Sequence, residues 1–107
     1  MAQINRRPLT QLTEVGVTAN LKLSPYAGPR WFRVVVAAIN TSLVIRAEYA
    51  TTASGAVTAR GMDYTITANG TYTLPVFATD NFVRLNFVSE TGGSAVTLDA
   101  TLTEETN

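Results

Sequence analysis

The chain alternates apolar and polar residues over short segments, which is the pattern of β-strands with one buried face. Between residues 82 and 88 the apolar positions are Val83, Leu85 and Phe87. Between residues 95 and 103 they are Val96, Leu98, Ala100 and Leu102. Shorter apolar segments at 15–17, 20–24 and 56–60 predict additional strands, and no segment predicts a helix.

Glycine and asparagine between these segments predict β-hairpins. A two-residue turn at Gly92 and the following glycine places the apolar residues of both flanking strands on one face. A three-residue loop at 68–70 likewise places the apolar residues of its two flanking strands on one face, with Gly70 in the left-handed conformation of a bulge. Pro75 then lies near a strand end or in an edge strand, because it cannot donate a ladder hydrogen bond. The predicted pairs are Phe87 with Leu98, Leu85 with Ala100, Val83 with Leu102, Ile66 with Tyr72, and Tyr64 with Leu74.

A third predicted hairpin joins residues 31–39 to residues 43–50 through the loop 40–42. Its register pairs Ile39 with Leu43 and Val35 with Ala47, which makes that face the core. The opposite face is too apolar for a solvated sheet surface. It is either covered by other segments of the chain or buried against a neighbouring subunit. This face carries Val34, Val36, Ala38 and Val44 beside Arg46 and Glu48.

The number and spacing of the segments predict an all-β fold. Seven or eight short strands separated by turns are typical of a single-domain antiparallel β-sandwich. The pattern fits a jelly-roll and an immunoglobulin-like connectivity equally. We expect residues 14–107 to form the sandwich and residues 1–13 to form an extended N-terminal arm.

Composition excludes several kinds of chemistry. The chain of 107 residues contains no histidine and no cysteine. Triads that use either residue, the usual zinc and haem sites, and disulfides are therefore excluded. Six carboxylates lie on different predicted elements, and we interpret them as solvated surface groups. They are Glu14, Glu48, Asp63, Asp80, Glu90 and Asp99. We expect no enzyme, no cofactor and no metal.

Charge points to protein partners. Eight basic residues balance eight acidic ones, which argues against a general binder of nucleic acid. The basic residues concentrate before residue 54 and the acidic ones after it, for net charges of +4 and −4. A basic arm with Arg6 and Arg7 and an acidic tail suit pairing between copies or with another subunit. The predicted partner-binding residues are Arg6, Arg7, Val34, Val36, Val44 and Arg46.

Membrane and secretion signals are not predicted. No segment has the roughly 18–20 consecutive apolar residues of a membrane-spanning helix. The polar start of the chain does not fit a secretory signal. Trp31, Phe32 and Tyr26 beside Arg30 and Arg33 could stack on single-stranded nucleic acid, but zero net charge and a single lysine favour core packing.

The segment 69–102 reads NGTYTLPVFATDNFVRLNFVSETGGSAVTLDATL. It resembles the final strands of small all-β virion proteins of tailed bacteriophages, with an N-G-x-Y turn, a proline-containing strand and paired V-R-L and V-T-L strands. The resemblance implies a non-enzymatic, oligomeric capsid decoration (cement), head-fibre or tail accessory protein. The short sequence TLPVFATD also resembles part of the coat proteins of RNA bacteriophages. Those coats finish in helices, whereas this chain finishes in a threonine-rich strand.

Two functions follow from these observations. The first is a structural virion protein that is made in the host cytoplasm and decorates or cements a phage particle. Its partners would be other virion subunits and copies of itself. The second is a small carbohydrate-binding sandwich that uses Trp31 and tyrosines as a stacking platform.

Overall fold

The computed structural model of the protein describes residues 4–9, 11–23, 29–39, 41–77, 82–92 and 96–105. Within these ranges the regular elements are all β-strands, as the alternation predicts. Ten strands follow along the chain: β1 (Ile4–Pro8), β2 (Gly16–Val17), β3 (Leu21–Lys22), β4 (Arg30–Ala37), β5 (Ser42–Ala50), β6 (Val57–Arg60), β7 (Tyr64–Ile66), β8 (Gly70–Val76), β9 (Phe82–Thr91) and β10 (Thr97–Glu105).

The strands form two antiparallel sheets that pack as a β-sandwich. The four-stranded sheet has the order β1-β10-β4-β8. In the six-stranded sheet, β9 and β5 are central, β2 and β3 both pair with β9, and β6 and β7 both pair with β5. The predicted all-β single-domain sandwich is confirmed. Its strands number ten because two edge strands are each split into short pieces.

Local contacts mark both splits. Between β2 and β3, the N–H of Leu85 donates to the side-chain Oγ1 of Thr18 (3.0 Å). Between β6 and β7, the N–H of Gly61 donates to the carbonyl of Ala47 (2.8 Å). A Cβ at position 61 would lie 3.3 Å from that carbonyl oxygen, so glycine suits the close approach.

The connectivity that the sequence left open is that of a jelly roll. With each split pair counted as one strand, eight strands follow the orders 1-8-3-6 and 2-7-4-5. Consecutive strands then lie in opposite sheets, except the fourth and fifth. Two interlocked Greek keys give this order, whereas an immunoglobulin-like domain keeps its first two strands in one sheet.

All three predicted hairpins are wrong. The strands β9 and β10 lie in opposite sheets, and so do β7 and β8, and β4 and β5. The physical reason is that a strand with one buried face has the same alternation whether its chain neighbour lies beside it or in the facing sheet. The inward faces predicted for β9 and β10 are correct, since Val83, Leu85, Phe87, Leu98 and Leu102 are all almost fully buried.

The predicted outer face of β4 is also wrong. Val34 and Val36 are 0% and 2% exposed and belong to the sandwich core with Phe32. The hairpin register had assigned the inward face to Val35, which is only half-buried. Once β4 pairs with β8 and β10 instead of β5, the other set of side chains faces the opposite sheet. The chain's own sandwich therefore covers Val34 and Val36.

Strand β8 lies at the edge of the four-stranded sheet, which confirms the edge position predicted from Pro75. Gly70 has a positive φ of 155°. It opens β8 opposite Val36 and does not close a hairpin bulge, so that part of the prediction is wrong.

The N-terminal segment contributes β1, which pairs with β10 at the other edge of the same sheet. Arg7 in β1 and Arg30 in β4 both bind the carboxylate of Glu104 in β10, the Arg30 contact measuring 3.0 Å. Glu104 is fully buried at the end of the core. This ion-pair cluster ties β1 to the sandwich.

Candidate protein-binding surface

The outer face of the six-stranded sheet carries a cluster of charged side chains. In β5 the core residues alternate with outward ones, which places Arg46 and Glu48 on the outside. In the pairing with β9, Glu48 lies opposite Arg84 and Arg46 lies opposite Asn86. On the other side of β5, Glu48 lies opposite Arg60 of β6. We call this surface, centred on Arg46, Glu48, Arg60 and Arg84, the arginine face.

The carboxylate of Glu48 is the centre of this face. Its Oε1 accepts hydrogen bonds from Nε and Nη2 of Arg84 (2.9 and 2.7 Å). Its Oε2 accepts from Nε of Arg46 (2.8 Å) and from Nδ2 of Asn86 (2.9 Å). The Nε of Arg60 lies 3.5 Å from Oε2. Both carboxylate oxygens are therefore fully coordinated, and Glu48 is only 2% exposed.

These contacts keep Glu48 ionised. Burial alone would raise its pKa, because a low dielectric disfavours the charged form. The hydrogen bonds from Asn86, Arg84 and Arg46, together with the charge of Arg84, outweigh burial and lower the pKa to about 2. The hydrogen bond to Glu48, together with the negative charge of Glu48, also raises the pKa of Arg46. Glu48 and Arg46 are therefore both charged at neutral pH.

Positive charge is in excess on the arginine face. Three guanidinium groups share one buried carboxylate, and Asp63 adds a second at 3.4 Å from Arg46 Nη1. The side chains of Arg46 and Arg84 are 22% and 25% exposed, and that of Arg60 is 61% exposed. Arginine presents five N–H donors in a planar fork, and these three side chains have donors that the cluster does not use. The face can therefore bind carboxylates or other anions.

The predicted partner-binding residues lie in separate places. Arg46 lies on the arginine face, and Val44 is half-buried two residues away on the same side of β5. Arg6 is exposed on β1, whereas Arg7 is bound to Glu104 of its own chain. Val34 and Val36 lie in the core, as described above. Of the predicted residues, only Arg46 and Val44 lie together on the outer face of the six-stranded sheet.

The sequence places Glu48 beside Arg46 on the outer face, but it does not predict that Arg60, Arg84 and Asn86 join them. The interpretation of Glu48 as a solvated carboxylate is wrong, because three arginines bury it. The available signal was the outward position of each residue in its strand. Using that signal required the β5–β9 and β5–β6 pairings, and the predicted hairpins had assigned other partners.

The aromatic residues of the alternative function are dispersed. Trp31 is half-buried on the outer face of the four-stranded sheet, opposite Thr103 and Pro75. Phe32 is core, Tyr49 is buried, and Tyr72 packs against the core. Tyr64 lies on the six-stranded sheet. Tyr26 lies outside the described residues. The described aromatic residues do not form a platform around Trp31.

Among the described residues, no group of three or more acidic side chains is arranged to hold a metal ion. The same part of the chain contains no helix that is long and apolar enough to cross a membrane. Comparison of the chain with known families, with curated proteins and with solved structures finds no match in any of the three.

Proposed function

We propose that this protein is a non-enzymatic structural component of a bacteriophage particle, which decorates or cements the particle through protein–protein contacts. Its partners are other virion subunits and copies of itself. The arginine face carries this proposal, because Arg46 and Arg84 present partly exposed guanidinium groups on the two central strands of the six-stranded sheet. Arginine on a flat, well-ordered surface is enriched at protein interfaces.

Two further observations support the proposal. Jelly rolls are common among viral capsid domains, although lectins also use them, so the fold favours a class of functions without selecting one. The segment 69–102 resembles small all-β virion proteins in the strands β8, β9 and β10. Of these strands, β9 and β10 are central in their sheets, and β8 is an edge strand.

Co-sedimentation with purified phage particles tests the proposal. Arg60→Gln removes the most exposed guanidinium of the arginine face, and its 3.5 Å contact with Glu48 is the longest in the cluster, so the fold should be kept. We expect retention of the variant on particles to fall several-fold, with the difference shrinking at high salt. Arg33→Gln is the matched control, since Arg33 is exposed on the opposite sheet. Failure of the unmodified protein to bind particles would refute the proposal.

A carbohydrate-binding module is the second candidate, and Trp31 is the observation that favours it. An indole half-exposed on a central strand can stack on a sugar ring. Binding to a glycan array that is lost in a folded Trp31→Ala variant would support this function over the first.

A further inference from the structure

Beside the arginine face lies a small apolar surface at the edge of the sandwich. Met62 is 79% exposed, Phe77 is 63% exposed and Tyr64 is 38% exposed. We call these three side chains the apolar edge. They surround a cavity of about 70 Å³ whose floor includes Ala47 and Leu74. The edge lies where β7 of one sheet comes close to β8 of the other.

The apolar edge and the arginine face meet at residues 60–64, which form the edge of the six-stranded sheet. Met62 precedes Asp63, whose carboxylate contacts Arg46, and it follows Arg60 by two residues. Large exposed apolar side chains next to arginines are the usual composition of a protein interface, with an apolar centre and a charged rim. Val15 and Val17 are also exposed, but Val17 lies in β2 and Val15 directly before it, at the opposite edge of the six-stranded sheet.

The cavity fits part of one side chain. Pockets for small molecules generally enclose about 300–1,000 Å³, several times the volume found here. The backbone of Phe77 is held by the buried Tyr49, whose hydroxyl oxygen accepts the Phe77 N–H at 2.9 Å. This hydrogen bond anchors the backbone of Phe77 to the core, which reduces the ordering needed when a partner binds.

The charge next to the cavity decides which occupant it fits. The three arginines carry more positive charge than Glu48 and Asp63 neutralise, so a segment with carboxylates is complementary. A second copy of this chain does not match. The exposed carboxylates in its described part, Glu14, Asp63 and Asp99, lie on different elements. Pro75 in β8 lacks an N–H, which disfavours addition of a partner strand along that edge.

We propose that the apolar edge binds a single apolar side chain of a partner protein, whose flanking acidic residues contact Arg46 and Arg60. This inference rests on the proposed function and names the chemistry of the partner: an acidic surface segment with one protruding aromatic or aliphatic residue. The apolar contact supplies most of the affinity, and the arginines select for acidic neighbours.

Two fluorophore-labelled peptides test the inference on the full chain: EEEWEEE and EEESEEE, compared by fluorescence anisotropy at low salt. We expect the tryptophan peptide to bind at least about fivefold more tightly than the serine peptide. Phe77→Ser should abolish that advantage, because the exposed ring forms one wall of the cavity. Arg60→Gln should weaken both peptides by a similar factor. Val15→Ser, an exposed apolar residue at the opposite edge, is the control and should change neither affinity.

Equal affinity for the two peptides, no binding at millimolar concentration, or an advantage that survives Phe77→Ser would overturn the inference. Tighter binding of a labelled oligothymidylate than of either peptide would also overturn it and assign the surface to nucleic acid. If the protein still sediments with particles and Arg60→Gln weakens retention, any of these results removes only the apolar contact and leaves the proposed function standing.

Discussion

Replacement of Glu48 by glutamine tests the electrostatics of the arginine face. The variant keeps the shape of the side chain but removes the charge that Arg46, Arg60 and Arg84 share. The pKa of Glu48 falls from an ordinary value of 4.5 to about 2 on folding. At about 1.4 kcal/mol per pKa unit, this corresponds to at most about 3–4 kcal/mol of stability at neutral pH. Because the arginines are partly solvated, we expect about 1–2 kcal/mol.

The sign of the pH dependence follows from the lowered pKa. Since the folded protein holds the charged form more tightly than the unfolded chain, this contribution is fully present above about pH 4.5. It is lost as the pH falls from 4.5 towards 2. The unmodified protein should therefore be more stable than Glu48→Gln at pH 7, and the gap should close as the pH approaches 2.

Urea unfolding between pH 7 and pH 2.5 measures this gap. Trp31 is the only tryptophan of the chain and is half-buried, so its fluorescence reports unfolding without a label. Glu14→Gln is the control, because Glu14 is an exposed carboxylate before β2. A difference between Glu48→Gln and the unmodified protein that stays constant over the whole pH range would refute the reasoning, as would a variant more stable than the parent at pH 7.

Three further substitutions test the packing. Val36→Asp places a carboxylate in the core and should lower the free energy of unfolding by more than about 3 kcal/mol, or prevent folding. Thermal denaturation measures this, and an unchanged melting temperature would contradict the burial of Val36. Arg7→Gln removes one of the two arginines that contact buried Glu104, so amide hydrogen exchange in β1 should become faster while β5 stays protected. Equal exchange of β1 in the variant and the unmodified protein would contradict the role of this ion pair in holding β1. Gly70→Val forces a β-branched residue to a φ of 155° and should cost about 1 kcal/mol or more in urea unfolding; a neutral result would mean that the backbone relaxes there at no cost.

Much of the fold is predictable from the sequence because burial imposes a local pattern. The alternation of Val83, Leu85 and Phe87 depends only on one face of β9 being buried, and it correctly predicts that face. The partner of each strand is not encoded in that way. The segment 40–42 can close a hairpin or cross between sheets, and the alternation on either side is the same in both cases. The jelly-roll order was accordingly left open, and the three hairpins were predicted wrongly.

The candidate site was predictable only in part for the same reason. The sequence indicates Arg46 because it lies beside Val44 on a predicted outer face that is too apolar for solvent. Glu48 is buried by residues from three strands. Arg84 and Asn86 are 36 and 38 residues away from it in sequence, so the local pattern around Glu48 does not indicate that they are its neighbours. Two valines were assigned to the surface because their strand was given the wrong neighbour. A correct sheet order would have corrected both errors together.

A structure of the protein bound to a phage particle tests the central claim most directly. We expect the arginine face and the apolar edge to lie against a virion subunit, with acidic residues of that subunit within hydrogen-bond distance of Arg46 or Arg60. The outer face of the four-stranded sheet, with Arg33 and Trp31, should remain in solvent. A bound protein that contacts the particle through that opposite face, with the arginine face exposed, would contradict the account.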